Sequence, residues 1–213
     1  MNNKTQNKIQ ITQSIIQAAS VYKTKMVGYV FLYVFEGRYI EVIYRAKDFM
    51  HLTGVDSNLS SIAFYREAVK GNLRHNQIYF SQRHPYDLCV QKMTQLQNIS
   101  AATNSGIFML ENLATDTFTY KFGLTELNFT LCLKKDVDTL GNVVSDKYVV
   151  RSLRVEDSVS RSSDAYEVQY IFAKRNDERL YNVLKYRDKR YDISSLPQNI
   201  LNKLDISLFN EDK

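Results

Sequence analysis

The sequence predicts an α+β fold, with helices packed on a curved antiparallel β-sheet. Three observations predict it. An apolar stripe at helical spacing occupies the first 26 residues, and strand-like runs parted by turn-forming pairs fill the chain from Gly106 onward. The third is size, since 213 residues with 44% hydrophobic content can bury a core. With only 7 Gly and 2 Pro, most of the chain is expected to be regular structure.

The first element is an amphipathic helix over 1–27. Ile9, Ile11, Ile15, Ile16, Ala19, Tyr22 and Met26 recur at mostly three- and four-residue intervals among Gln, Asn and Lys. From Gly28 to Arg45 the pattern changes to VGYVFLYVF and RYIEVIYRA, divided by Glu36-Gly37, which predicts a β-hairpin. Helical segments follow: a short turn over Asp48–Leu52, a helix from Ser60 to Lys70 closed by Gly71, and another from Tyr86 to Ile99. Then come strands in IFMLENL, TFTYKFG, LNFTLCLKK, KYVVRSL, YEVQYIFAK and RLYNVLKY, a succession of short strands that implies antiparallel pairing. A last helix is expected over Ser194–Leu208 with Pro197 in its first turn. The chain thus divides into an N-terminal helix over 1–27, an α+β domain over 28–190 and a helical tail over 191–213.

Charge and motifs narrow the function classes. The chain carries 28 Lys plus Arg against 23 Asp plus Glu, a net +5 that mildly favours a polyanionic partner. Much of the excess lies in residues 1–47, where seven cations face only Glu36 and Glu41. No GxxxxGK[ST], GxGxxG, GxSxG or HExxH occurs, which disfavours nucleotide-driven motors, dehydrogenases, α/β-hydrolases and HExxH metalloproteases. No cofactor and no metal site is expected. Cys89 and Cys132 sit in apolar sequence without a CxxC pair and read as buried thiols of a reducing, cytoplasmic compartment. Val27–Phe35 is too short to cross a bilayer as a helix, and polar residues interrupt the N-terminus, so neither membrane insertion nor export is expected.

Two segments carry candidate chemistry. In RAKDFMHLTGV, Arg45–Val55, His51 has the one side chain that exchanges protons near neutral pH, with Thr53 and Gly54 beside it. The bland reading is a histidine that caps a helix end, and the residues alone leave both open. In the second segment Arg151 and Arg154 flank Ser152, and the strands after it carry Lys174, Arg175, Arg179 and Lys185 among Tyr166, Tyr170, Tyr181 and Tyr186. Cations for phosphates beside tyrosines for bases suit single-stranded RNA, while a solvated sheet face of long side chains explains the same pattern. His75 and His84 lie in polar, loop-like sequence.

These segments resemble the fourth group of phage-associated nucleases in the barnase, EndoU, colicin and RelE superfamily. KDFMHLTGV (47–55) is similar to that family's NFxHLTG block, and SLRVED (152–157) to its SLxxED block. AFYREAVKGNL (63–73) resembles its FYxxxxxxxL helix, and VQYIFAKRNDERLYNVLKY its closing hairpin, where an IFxK strand precedes a tyrosine-bearing one. The likeness spans roughly residues 28 to 190. It departs before SL, where the family has a proline and this chain has Val150-Arg151.

The resemblance implies a barnase/RelE-like fold and a metal-independent endoribonuclease, a toxin or a phage or mobile-element effector, that cleaves RNA by attack of a 2′-OH on the adjacent phosphate. It implies His51 as general acid or base, Arg154 and Lys174 as phosphate stabilisers, and Tyr181 as a stacking or proton-transfer group. Ser152 becomes a hydrogen-bond donor, Thr53 an orienting group, and Arg151, Arg175, Arg179 and Lys185 RNA-binding cations. RNA is the expected partner, with a protein inhibitor or antitoxin beside it. The competing expectations are an inactive nuclease fold that binds RNA or protein, and an N-terminal helix that serves as an oligomerisation arm.

Overall fold

The computed structural model describes residues 3–116 and 118–209, so parts of the expected N-terminal and C-terminal segments, 1–2 and 210–213, lie outside the described residues. In chain order the elements are α1 (Asn3–Lys25), β1 (Tyr29–Phe35), β2 (Arg38–Ile43), α2 (Phe49–Thr53), β3 (Asp56–Ser57), α3 (Ser61–Val69), β4 (Ile78–Tyr79), α4 (Tyr86–Gln97), α5 (Ala101–Asn104), β5 (Phe108–Ala114) and β6 (Thr119–Thr125). They continue with β7 (Thr130–Val137), β8 (Val143–Arg154), β9 (Asp164–Glu167), β10 (Tyr170–Arg175), β11 (Val183–Arg187) and α6 (Gln198–Leu201). Among the described residues no helix is long and apolar enough to cross a membrane.

Nine strands form one sheet in the order β11-β10-β1-β2-β8-β7-β6-β5-β9, and β3 and β4 pair separately. The large sheet is mostly antiparallel, as the succession of short strands predicts. The exception is β2 against β8, a parallel junction registered at Val42↔Tyr148 and Ile43↔Val149. No sequence signal announces it, because those strands lie about a hundred residues apart and are joined only by what packs between them.

The sheet has two covered faces at β1. Ile11, Ile15, Ala18, Ala19 and Tyr22 of α1 pack with Phe31, Phe49 and Phe64 in the main core. On the opposite face Val30, Leu32 and Val34 pack with Tyr170, Phe172, Tyr181 and the tail residues Ile193, Leu196, Ile200 and Leu204. Burial on both faces accounts for the unbroken apolar run YVFLYVF, which alternation alone would not produce. The α1 stripe and the tail therefore fill this chain's own core.

Local chemistry sets most boundaries. Glu36 and Gly37 both take positive φ, 48° and 66°, as the tight turn between β1 and β2 requires. Ser60 Oγ accepts from the Ala63 amide at 3.4 Å and caps α3. The tail departs from the single helix expected over 194–208. It forms a 3₁₀ turn at Ile193–Ser195, the four-residue α6 and a second 3₁₀ turn at Ile206–Phe209. Pro197 has no amide hydrogen and sits at ψ 145°, so it separates two turns instead of opening one long helix. The predicted strand YEVQYIFAK is likewise split. The Val168 amide donates to the Ile107 carbonyl at 2.9 Å and the Gln169 amide to the Val34 carbonyl at 2.8 Å, so one run of chain leaves β5 and joins β1.

Candidate active site

His51 owes its position to the residues around it. In α2, Phe49 and Leu52 are fully buried, and their three-residue spacing fixes one helix face inward while His51 stays exposed. Thr53 Oγ1 donates to the Met50 carbonyl at 2.7 Å and accepts from the Val55 amide at 3.3 Å, which ends the helix. Gly54 then turns the chain at φ +73°, and a Cβ there would meet Lys92 Cδ at 2.7 Å. The HLTG motif is therefore a display device, with histidine as its cargo. Beneath it, Tyr22 donates from its hydroxyl to the Arg45 carbonyl at 3.2 Å and stacks at an angle on Phe49, 5.1 Å between centroids.

Across from α2, β7 and β8 bring the cations. The ladder pairs Cys132 with Ser152 and Leu133 with Val150, which leaves Arg151 as the extra residue of a β-bulge. The Arg151 guanidinium lies 3.4 Å from Asp48 Oδ1. With Arg45, Lys47, Lys134 and Lys135 it lines a cleft of about 660 Å³ whose wall also includes His51 and Asp48. Arg45 is anchored by Asp136, which also accepts from Ser145 Oγ at 2.8 Å. Burial opposes ionisation of Asp136, but these bonds hold its carboxyl below the usual range. Asp48 is buried, and among the described residues its Oδ2 has no hydrogen-bond partner.

Partial burial lowers the His51 pKa, and the Arg151 charge lowers it further, with Asp48 pulling the other way. The imidazole is thus held neutral to lower pH than an ordinary histidine, ready to accept a proton. Among the described residues no group of three His, Cys, Asp or Glu side chains is placed to hold a metal ion.

Of the residues singled out in the sequence, the structure brings His51 and Arg151 together and places the others elsewhere. Thr53 is fully buried within the helix end and is not part of the cleft wall. Ser152 is half-buried opposite Cys132. Arg154 turns to Glu156 at 2.7 Å and Asp116 at 3.6 Å instead of the cleft wall. Lys174 Nζ donates to the Arg179 carbonyl at 2.8 Å and lies 4.9 Å from the Tyr181 ring centroid. Tyr181 is buried, its hydroxyl donating to Glu41 Oε1 at 2.7 Å, and burial with that neighbouring carboxylate drives its pKa far above the usual range. Proton transfer from so engaged a phenol is disfavoured. Arg175 lies 4.0 Å over the Tyr29 ring and Lys185 5.9 Å from it, while Arg179 is exposed beside the β10–β11 turn.

The residues that sequence reasoning passed over as site residues are Arg45, Lys47, Asp48, Lys134 and Lys135. The doubled lysine in LCLKKDVD is the available signal, since two adjacent lysines at a strand end supply charge to either face. Cys89 and Cys132 are buried thiols whose pKa values burial pushes up to about 11 and about 12. Neither is poised as a thiolate nucleophile.

A comparison with known protein families matches residues 14–190 to PBECR4, described as phage-Barnase-EndoU-ColicinE5/D-RelE like nuclease4. No curated protein and no solved structure matches the chain.

Proposed function

The chain belongs to this nuclease family, and from that premise we propose that it is a metal-independent endoribonuclease whose active site is the His51 cleft. The observation that carries the reading is the convergence of Arg45, Lys47, Lys134, Lys135 and Arg151 around a histidine held neutral. Five cations suit a phosphodiester, and a neutral imidazole suits removal of a proton.

In the reaction His51 accepts the proton of a ribose 2′-OH, and O2′ forms a bond to the adjacent phosphorus. The P–O5′ bond breaks, O5′ leaves with a proton taken from solvent water, His51 returns its proton to solvent, and the products end in a 2′,3′-cyclic phosphate and a 5′-OH. Arg151 and the lysines stabilise the additional charge on the non-bridging oxygens, where preorganised cations contribute most. Asp48 holds Arg151 in place through its Oδ1. The 2′-OH requirement makes RNA, not DNA, the substrate. A curved, barnase-like sheet belongs to the same reading: Val168 and Gln169 span about 7 Å, yet they join strands that a flat sheet would hold about 34 Å apart.

A cell that carries such an enzyme, whether a toxin or a phage or mobile-element effector, needs a partner protein that covers the cleft. The second reading is a non-cleaving RNA-binding protein. It is favoured by one observation, that the cleft's carboxylates are committed, Asp48 to Arg151 and Asp138 to the Leu140 and Asn142 amides, which leaves His51 without an evident proton-transfer partner.

The test is incubation of the purified protein with end-labelled single-stranded RNA in EDTA, in parallel with His51→Ala. Cleavage leaving cyclic phosphate ends, lost in the variant, is the expected result. Intact RNA with folded protein decides for the second reading.

A further inference from the structure

Next to the cleft the sheet opens. Just before its two registered pairs with β2, at Tyr148 and Val149, β8 departs from its ladder with β7. Between Lys135↔Tyr148 and Val137↔Val143, residues 144–147 of β8 stand against the single residue Asp136 of β7. The gap is a crevice of about 420 Å³ whose wall includes Tyr39, Glu41, Lys135, Tyr148 and Lys203. Lys135 lines this crevice and the His51 cleft alike.

We propose that this crevice is a second nucleotide subsite, which takes a phosphate of the same single-stranded RNA one or more nucleotides away from the scissile bond. The proposal rests on the cleft being the site of RNA engagement. Its own support is the disposition of charge. The two carboxylates of the crevice are already committed: Glu41 to the Tyr181 hydroxyl at 2.7 Å and Lys203 at 3.4 Å, Asp146 to Lys135 at 3.3 Å.

The cations exceed them. Lys147 and Lys174 add to Lys135 and Lys203, and Lys174 feels both Lys147 and Lys203 as like charges. Its pKa is lowered by burial first and by these two neighbours, against the pull of Glu41 and Glu178. A cluster of mutually repelling ammonium groups at the lip of a crevice is relieved by an anion laid across it. The groups are also preorganised, since Lys135 sits 5.0 Å from the Tyr148 ring centroid and Lys203 4.9 Å from that of Tyr39. The subsite gives Lys174 a use that its distance from the cleft wall otherwise denies: a distal phosphate contact, not a catalytic one.

The experiment compares a dinucleotide with an octanucleotide, both 2′-O-methylated so that they cannot be cleaved, in fluorescence anisotropy at several salt concentrations. Lys147→Glu and Lys203→Gln are made separately, because loss of the Lys203–Glu41 pair carries its own structural risk. The expected result is a loss of at least tenfold in octanucleotide affinity with less than twofold change for the dinucleotide. The salt slope is expected to fall by about one per lysine removed. Equal losses for both lengths overturn the proposal, as does unchanged affinity in both variants. Cleavage of the unmodified dinucleotide and octanucleotide is read alongside. If the parent cleaves neither length but shows the length-dependent binding, the ribonuclease reading fails and the subsite stands.

Discussion

Two regions of this molecule are rich in cations, the first with tyrosines among them, and only the second surrounds a cleft with a histidine in its wall. On β10 and β11, Lys174, Arg175 and Lys185 lie near the Tyr181 and Tyr29 rings, and the Tyr181 hydroxyl is spent on Glu41. In the cleft, Arg45, Lys47, Lys134, Lys135 and Arg151 surround open volume with a histidine in its wall. Basic side chains thus pack on aromatic rings near a sheet edge in one place and line open volume in the other. What separates them is whether a void is left for the charge to act across.

The largest expected effect is at His51. His51→Ala should lower kcat for RNA cleavage by about 10²- to 10⁴-fold, the usual weight of a general base, with the thermal unfolding profile retained. Arg151→Ala should cost about 10- to 10²-fold in kcat/KM and also move the pH profile. A base works in its neutral form, so activity falls as pH drops through the His51 pKa, and the depressed pKa carries activity to lower pH than an ordinary histidine allows. Removing the Arg151 charge lets that pKa rise, so the acid limb should shift to higher pH. A limb that stays in place would show that Arg151 does not act on His51.

Smaller effects test the scaffold. Gly54→Ala should destabilise the protein by about 1–3 kcal/mol in denaturant titration, because its backbone lies at φ +73° against the Lys92 stem. Tyr181→Phe should cost about 1–2 kcal/mol for the lost bond to Glu41 and leave cleavage within about twofold. A large loss of activity with intact stability would move the catalytic role back to Tyr181. Arg175→Ala should change dinucleotide cleavage least, by less than about twofold, since its guanidinium is spent on the Tyr29 ring.

The local elements were legible in the sequence because their causes are local. The α1 stripe, the Glu36-Gly37 turn and the Ser60 cap each depend on residues within one or two turns of chain, and each appears where its pattern stands. His51 was legible as a candidate for the same reason, since Phe49, Leu52, Thr53 and Gly54 fix its display within six residues. Its partners were not. Lys134 and Lys135 reach it through the β7–β8 ladder, and Arg151 through a bulge that periodicity cannot register, because one extra residue changes which face a side chain takes.

By itself, then, the sequence determined an α+β chain with a basic balance, a helical N-terminus, a sheet of short strands and a histidine raised on a short helix. These follow from side-chain periodicity and backbone preference, which act between near neighbours. Only the tertiary structure decided that β2 and β8 run parallel, that the tail breaks into turns over the second face of β1, and which cations stand around His51. Those outcomes depend on contacts between residues as far apart as Asp48 and Arg151, whose 3.4 Å approach is set by how the sheet closes its core and not by any spacing along the chain.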